Sequence, residues 1–92
     1  MNKTDLAATM ASDIGISKAR AADGIESLIR SVTAALKQSD RVTISGFGSF
    51  AVYQRKARNL RHPRTGAIIR LRSRRVAKFT AGLELNKALN RG

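Results

Sequence analysis

Along the first third of the chain, apolar residues recur every three to four positions. Leu6, Met10 and Ile14 fall four apart, behind Asn2 as a capping residue and Asp5 in the first turn, which predicts a helix over residues 3 to 14 stopped by Gly15. Ser17 is placed to cap a longer helix, in which Ala22, Ile25, Leu28, Ile29, Val32 and Leu36 keep the 3.6 period to about residue 38. Gly24 inside it costs roughly 1 kcal/mol relative to Ala. It marks either the close approach of a neighbouring backbone or a tolerated defect.

After Ser39 and Asp40 the period changes from 3.6 to 2. Val42 and Ile44 alternate with Thr43 and Ser45 as in a half-buried strand, "GFG" at residues 46 to 48 is a turn, and a second strand starts with Phe50 and Val52 on one face. "HPRTG" reads as another turn, because proline presets its own φ and Gly66 accepts a positive one. Beyond it Arg70, Arg72 and Arg74 fall on one face of a returning strand, with Ile69, Leu71 and Ser73 on the other. The two strands make a hairpin with Pro63 at its tip, about 30 Å long and so comparable to the ~34 Å of one turn of B-DNA. Phe79 returns to the body, and a short helix follows from about Gly82 with Leu85 and Leu89 on its inner face.

The charge changes what this hairpin means. The chain has 92 residues and a formal charge of +12, yet no Asp or Glu lies between Asp40 and Glu84. That segment holds Arg41, Arg55, Lys56, Arg58, Arg61, Arg64, Arg70, Arg72, Arg74, Arg75 and Lys78, so a nearly neutral body carries a cationic insert. Single-signed charge of this density disfavours compaction unless a polyanion neutralises it. Nucleic acid is the first such partner. An anionic membrane surface is the second, and is disfavoured because the charges lie on a ribbon without an apolar insertion face.

Little else in the sequence suggests chemistry. There is no cysteine, hence no disulfide or thiolate metal site. The single histidine, His62, has no nearby acid to orient it as a base, and the six acids are scattered over the predicted helices and their ends. No enzyme, catalytic residue, cofactor or metal is expected. "GFGSF" lacks the "GKT" ending of a phosphate loop and leads into a strand, so it reads as a tight turn with Phe47 and Phe50 in the core. The opening residues lack the apolar core of a secretory signal, and no run approaches the ~20 apolar residues of a membrane span. A soluble, unexported protein is expected.

"GFGSFAVYQRKARNLRHPRTG" followed by "RRVAKFTAG" resembles the bacterial histone-like HU and integration host factor family, with HU the nearer, along essentially the whole chain. That family is known to bind the minor groove with apolar wedges. The resemblance implies an α+β fold in the order helix, helix, three-stranded sheet, helix. It implies one domain over residues 1 to 92, with a dimerisation body at 1–52 and 76–92 and a DNA-binding ribbon at 53–75. Two copies would intertwine as a homodimer, cytoplasmic and associated with the nucleoid, that bends, wraps and compacts double-stranded DNA with little sequence preference. On the same resemblance Arg55, Arg58, Arg61, His62, Arg64, Arg70, Arg72, Arg74 and Arg75 are arm contacts and Pro63 is the wedge. Lys3, Gly46, Gly48, Lys78 and Gly82 would meet phosphates on the body, and Lys3 with Glu26 resembles an ion pair of the family.

Leu60 departs from the family's usual Gly, His62 from Asn, Ala77 and Ala81 from prolines, and Leu83 from a common lysine. Site-specific bending of the integration host factor kind and binding of structured RNA are the rival readings. Uncharged Thr43, Ile44 and Ser45 beside the "GFG" turn weigh against the first, and competition between DNA and RNA duplexes decides the second.

Overall fold

The computed structural model of the chain describes residues 1 to 91. Helices α1 (Lys3–Ile14) and α2 (Lys18–Lys37) begin where their caps place them. The Asn2 side chain accepts from the Asp5 amide at 2.9 Å while the Asp5 carboxylate accepts from the Asn2 amide at 3.1 Å, a reciprocal capping box. Gly15 ends α1 at φ 71°, and Ser17 Oγ accepts from the Arg20 amide at 3.1 Å to start α2. At the other end of α2 the Ser39 amide donates to Leu36 O and the Asp40 amide to Ala35 O, with Ser39 at φ 61°. This is a Schellman ending, and its left-handed position is one that glycine usually fills.

The face by which α1 meets α2 differs from the expected one. Ala7 and Ala11 pack against Ala21 and Ile25, while Leu6, Met10 and Ile14 stay 47%, 36% and 61% exposed in the single chain. Small side chains let the two helices approach closely and leave the large ones pointing elsewhere. Leu28, Ile29, Phe47, Leu83 and Leu89 are exposed as well. A core of three alanines and one isoleucine is far too small to offset the entropy of ordering the chain. A Cβ on Gly24 would meet nothing within 4 Å, so any backbone it admits is not from this chain.

Strands β1 (Val42–Ile44), β2 (Gly48–Arg55), β3 (Arg58–Arg61), β4 (Ile68–Leu71) and β5 (Arg74–Ala81) precede the short helix α3 (Leu83–Leu89). β1, β2 and β5 form an antiparallel sheet in that order, and β3 pairs with β4. The "GFG" turn has Gly46 at φ 82°, and Phe79 packs on Phe50 and Phe47 with ring centroids 4.9 and 5.2 Å apart. Gly48 lies against them: an added Cβ would come within 2.5 Å of Thr80 O and 2.6 Å of Phe79 Cζ.

The returning strand is not continuous as the alternation predicts. It divides into β4 and β5 at Arg72 and Ser73, opposite a matching gap at Lys56 and Ala57. Arg55, Lys56, Arg58, Arg72 and Arg74 all border the crevice at this break. The register nevertheless carries across it. Gly48 faces Ala81, Arg55 faces Arg74, Arg58 faces Leu71 and Arg61 faces Ile68. The hydrogen-bonded phase changes at the break, however, since the Gly82 amide bonds Phe47 O at the body end and the His62 amide bonds Ala67 O at the tip, and the alternation of faces is interrupted there. The ribbon projects far enough that the longest dimension is 58 Å and the radius of gyration 18.9 Å, against about 12 Å for a compact chain of this length.

Candidate nucleic-acid interface

Because side chains alternate along a strand and opposite residues share a face, the register sorts the paired residues of each sheet. Arg55, Arg74 and Lys78 share one face of the β2–β5 pair, and Arg61 and Arg70 share one face of the β3–β4 ribbon, with Arg72 in the break between them. All six are exposed. The Lys78 ammonium lies 5.3 Å from the centre of the Tyr53 ring, on the face of Arg55 and Arg74. Arg55 and Arg74 stand directly opposite each other, a like-charge pair that an anion between them would relieve.

On the body the opposite face carries Phe50 and Phe79, then Val52 and Ala77, and beyond the break Arg58, Leu60, Ile69 and Leu71 share one face of the ribbon. Leu60, Ile69 and Leu71 are 40%, 42% and 37% exposed. The ribbon thus does have a short apolar row, contrary to expectation, although Lys56 and Arg58 interrupt it.

At the tip, His62 and Ala67 close the ladder through a 2.8 Å bond from the His62 amide to Ala67 O, and the Gly66 amide returns to His62 O at 2.9 Å. Nδ1 of His62 accepts from the amides of Arg64 and Thr65 at 3.2 and 3.3 Å. The imidazole therefore folds the turn that an asparagine side chain could fold by the same bonds. Pro63 and Arg64 are left exposed at the outermost point, and Thr65 Oγ1 accepts from the Ala67 amide at 3.2 Å.

Arg75 is placed differently from the arginines it was grouped with. Its Nη2 donates to Leu36 O at 2.9 Å, Lys37 O at 3.2 Å and Ser39 Oγ at 2.7 Å. Sequence reasoning missed this role, yet alternation held the signal: Arg75 falls in the row of Phe79 and Ala77, which faces the helices.

The predicted body positions come together only in part. The Gly82 amide donates to Phe47 O at 2.8 Å, which sets the start of α3 beside the turn of Gly46 and Gly48. Gly48 is itself buried, so its role is steric, and Glu84 brings a negative charge to the same place. Lys3 lies apart on α1, where its ammonium pairs with Glu26. That carboxyl is held below its ordinary pKa of 4.5, chiefly by the Lys3 hydrogen bond and charge. No other ion pair occurs among the described residues. None of their helices is long and apolar enough to cross a membrane.

A family model described as bacterial DNA-binding protein matches residues 1–90. DNA-binding protein HU-beta of Serratia marcescens is 44% identical over 90 residues, covering 98% of this chain and all of the relative. The HU-beta of Escherichia coli K12 is 43% identical over the same span. Among solved structures, an Anabaena HU–DNA cocrystal structure superposes with a TM-score of 0.89 at 31% identity, covering 98% of each chain.

Proposed function

The chain belongs to the bacterial DNA-binding protein family of HU, and on that footing we propose that it is a non-enzymatic, architectural protein that holds double-stranded DNA between the arms of a homodimer. The observation that carries this reading is the arm's charge: Arg55, Arg61, Arg70, Arg72, Arg74 and Lys78 are all exposed, with no acid between Asp40 and Glu84 to neutralise them. A duplex supplies phosphates to such side chains, and neutralising them releases counterions. Binding is then driven by charge, with little preference for sequence, as suits a protein of the bacterial chromosome in the cytoplasm.

Pro63 gives the arm a second action. It is exposed at the outermost turn, and the apolar row of Leu60, Ile69 and Leu71 runs towards it. Entering the minor groove, the ring wedges between base pairs. Unstacking a step costs a few kcal/mol, offset by the contacts that a bent duplex allows. Lys3, Gly46 and Gly82 are secondary contacts on the flank. Leu83, 69% exposed, stands where a lysine would strengthen them.

The homodimer follows from the uncovered apolar side chains. Leu6, Ile14, Leu28, Ile29, Phe47 and Leu89 are each more than 40% exposed in one chain. A second copy buries them and supplies the core that four residues cannot.

Two measurements on one sample test the proposal. In a titration of a doubly labelled duplex of about 35 base pairs, energy transfer between the ends should rise on binding, and Pro63→Ala should lose most of that rise while keeping most of the affinity. The logarithm of the binding constant should fall with the logarithm of salt by about 0.9 for each phosphate engaged. A flat salt response refutes the electrostatic reading, and binding without approach of the ends refutes bending.

A further inference from the structure

We propose that Arg75 positions the arm and does not contact DNA: by tying the root of the ribbon to the C-terminal end of α2, it sets the direction in which the arm leaves the body. The inference rests on the DNA-bending reading above.

Three observations converge on it. The register turns Arg75 towards the helices, while its neighbour Arg74 lies on the cationic face opposite Arg55. Its Nη2 reaches Leu36 O, Lys37 O and Ser39 Oγ together. The two carbonyls belong to the last turn of α2, which carries the negative end of the helix dipole and lacks enough intrahelical donors. A guanidinium is suited to this place because its donors are rigidly disposed and its charge is permanent.

The position along the ladder gives the contact its consequence. Arg75 is near the start of β5, just inside the break at Arg72 and Ser73. Outward of it the described residues form only the two-stranded ribbon, which has marginal stability of its own. The Arg75 bonds therefore join the sheet to the helical layer at the last place where the arm can be steered. Ser39 completes the seat: its hydroxyl is an acceptor, at a left-handed position where a glycine would offer none.

The test compares Arg75→Ala, Arg75→Lys, Ser39→Ala and Arg74→Ala. In the free dimer, amide exchange at Gln54, Arg74 and Val76 should quicken about tenfold in Arg75→Ala and recover in Arg75→Lys, whose ammonium still reaches the carbonyls. On DNA, Arg75→Ala should keep the wild-type salt slope but lose at least half of the end-to-end approach. Arg74→Ala should lower the slope by about 1.8, one phosphate on each of two arms. Ser39→Ala, which removes only one acceptor, should lie between wild type and Arg75→Ala and takes its place if that variant does not fold. A slope for Arg75→Ala that falls with that of Arg74→Ala makes Arg75 a DNA contact and overturns the proposal. Unchanged exchange at the arm root does so too. If the wild-type protein fails to bend DNA, the functional reading falls, while exchange in the free dimer still decides whether Arg75 holds the root.

Discussion

Replacing Gly48 by Ala is the sharpest test of how the arm is founded on the body. The new Cβ would lie 2.5 Å from Thr80 O, 2.6 Å from Phe79 Cζ and 2.7 Å from Phe79 Cε1. Carbon atoms attract best at about 3.5–4.0 Å, so each contact falls short by roughly 1 Å. Thr80 O is backbone, in the ladder that pairs Thr80 with Ser49, and cannot retreat without opening the β2–β5 sheet. Phe79 can retreat only by leaving Phe47 and Phe50. Overpacking costs about 1–3 kcal/mol and a lost aromatic pair about 1 kcal/mol, for about 2–4 kcal/mol together. In a domain of this size each kcal/mol moves Tm by about 4–8 °C, so a fall of roughly 10–25 °C is expected in calorimetry. Protein concentration must be held fixed, because association itself raises Tm. Gly46→Ala is the control: its φ of 82° imposes strain, but its Cβ would meet nothing within 4 Å. About 1 kcal/mol is expected there. A fall below about 5 °C for Gly48→Ala, or one no larger than for Gly46→Ala, refutes the steric reasoning.

Two further outcomes are expected. His62→Asn should keep the arm tip and bend DNA like the wild type, because a carboxamide oxygen can accept the same two amides. His62→Ala, which leaves the Arg64 and Thr65 amides to water, should weaken binding about threefold to tenfold, and equal behaviour of the two variants counts against the acceptor role. For the Lys3–Glu26 pair, the folded-state pKa of Glu26 is lowered, so its contribution to stability is present above about pH 4.5 and is lost as pH falls through the lowered value. The Tm difference between wild type and Glu26→Gln should therefore be largest near neutral pH, shrink in high salt because both side chains are exposed, and vanish at about pH 2. A difference that persists there contradicts the pairing.

The helix limits were legible because capping is local: Asn2, Asp5, Gly15 and Ser17 act on their own neighbours, and both helices begin where those residues place them. The turns were legible for the same reason. Which face of α1 turns inward was not, since Leu6, Met10 and Ile14 keep as good a helical period as Ala7 and Ala11. The close approach of α2, a tertiary choice, selects the alanines and leaves the larger residues for a partner. Arg75 was hidden by composition: among so many arginines in one segment, charge suggested a shared role, whereas alternation had already set it on the inner row. The break at Arg72 and Ser73, opposite unpaired Lys56 and Ala57, was not legible because the sequence alternation runs straight through it. Ser39 gave no sign of its left-handed position, which glycine more often fills.

The unbroken register restricts how such an arm can change by insertion and deletion. One residue added to the outgoing strand would reverse every side chain outward of it on that strand, sending Arg61 to the face of Ile69 and Leu71, and Leu60 to that of Arg70. Length can change harmlessly only by equal numbers on both strands, in steps of two that restore each face. Such a matched double event is far rarer than the single ones that alter a loop. The span between the Phe79 cluster and Pro63 is in that sense a fixed gauge.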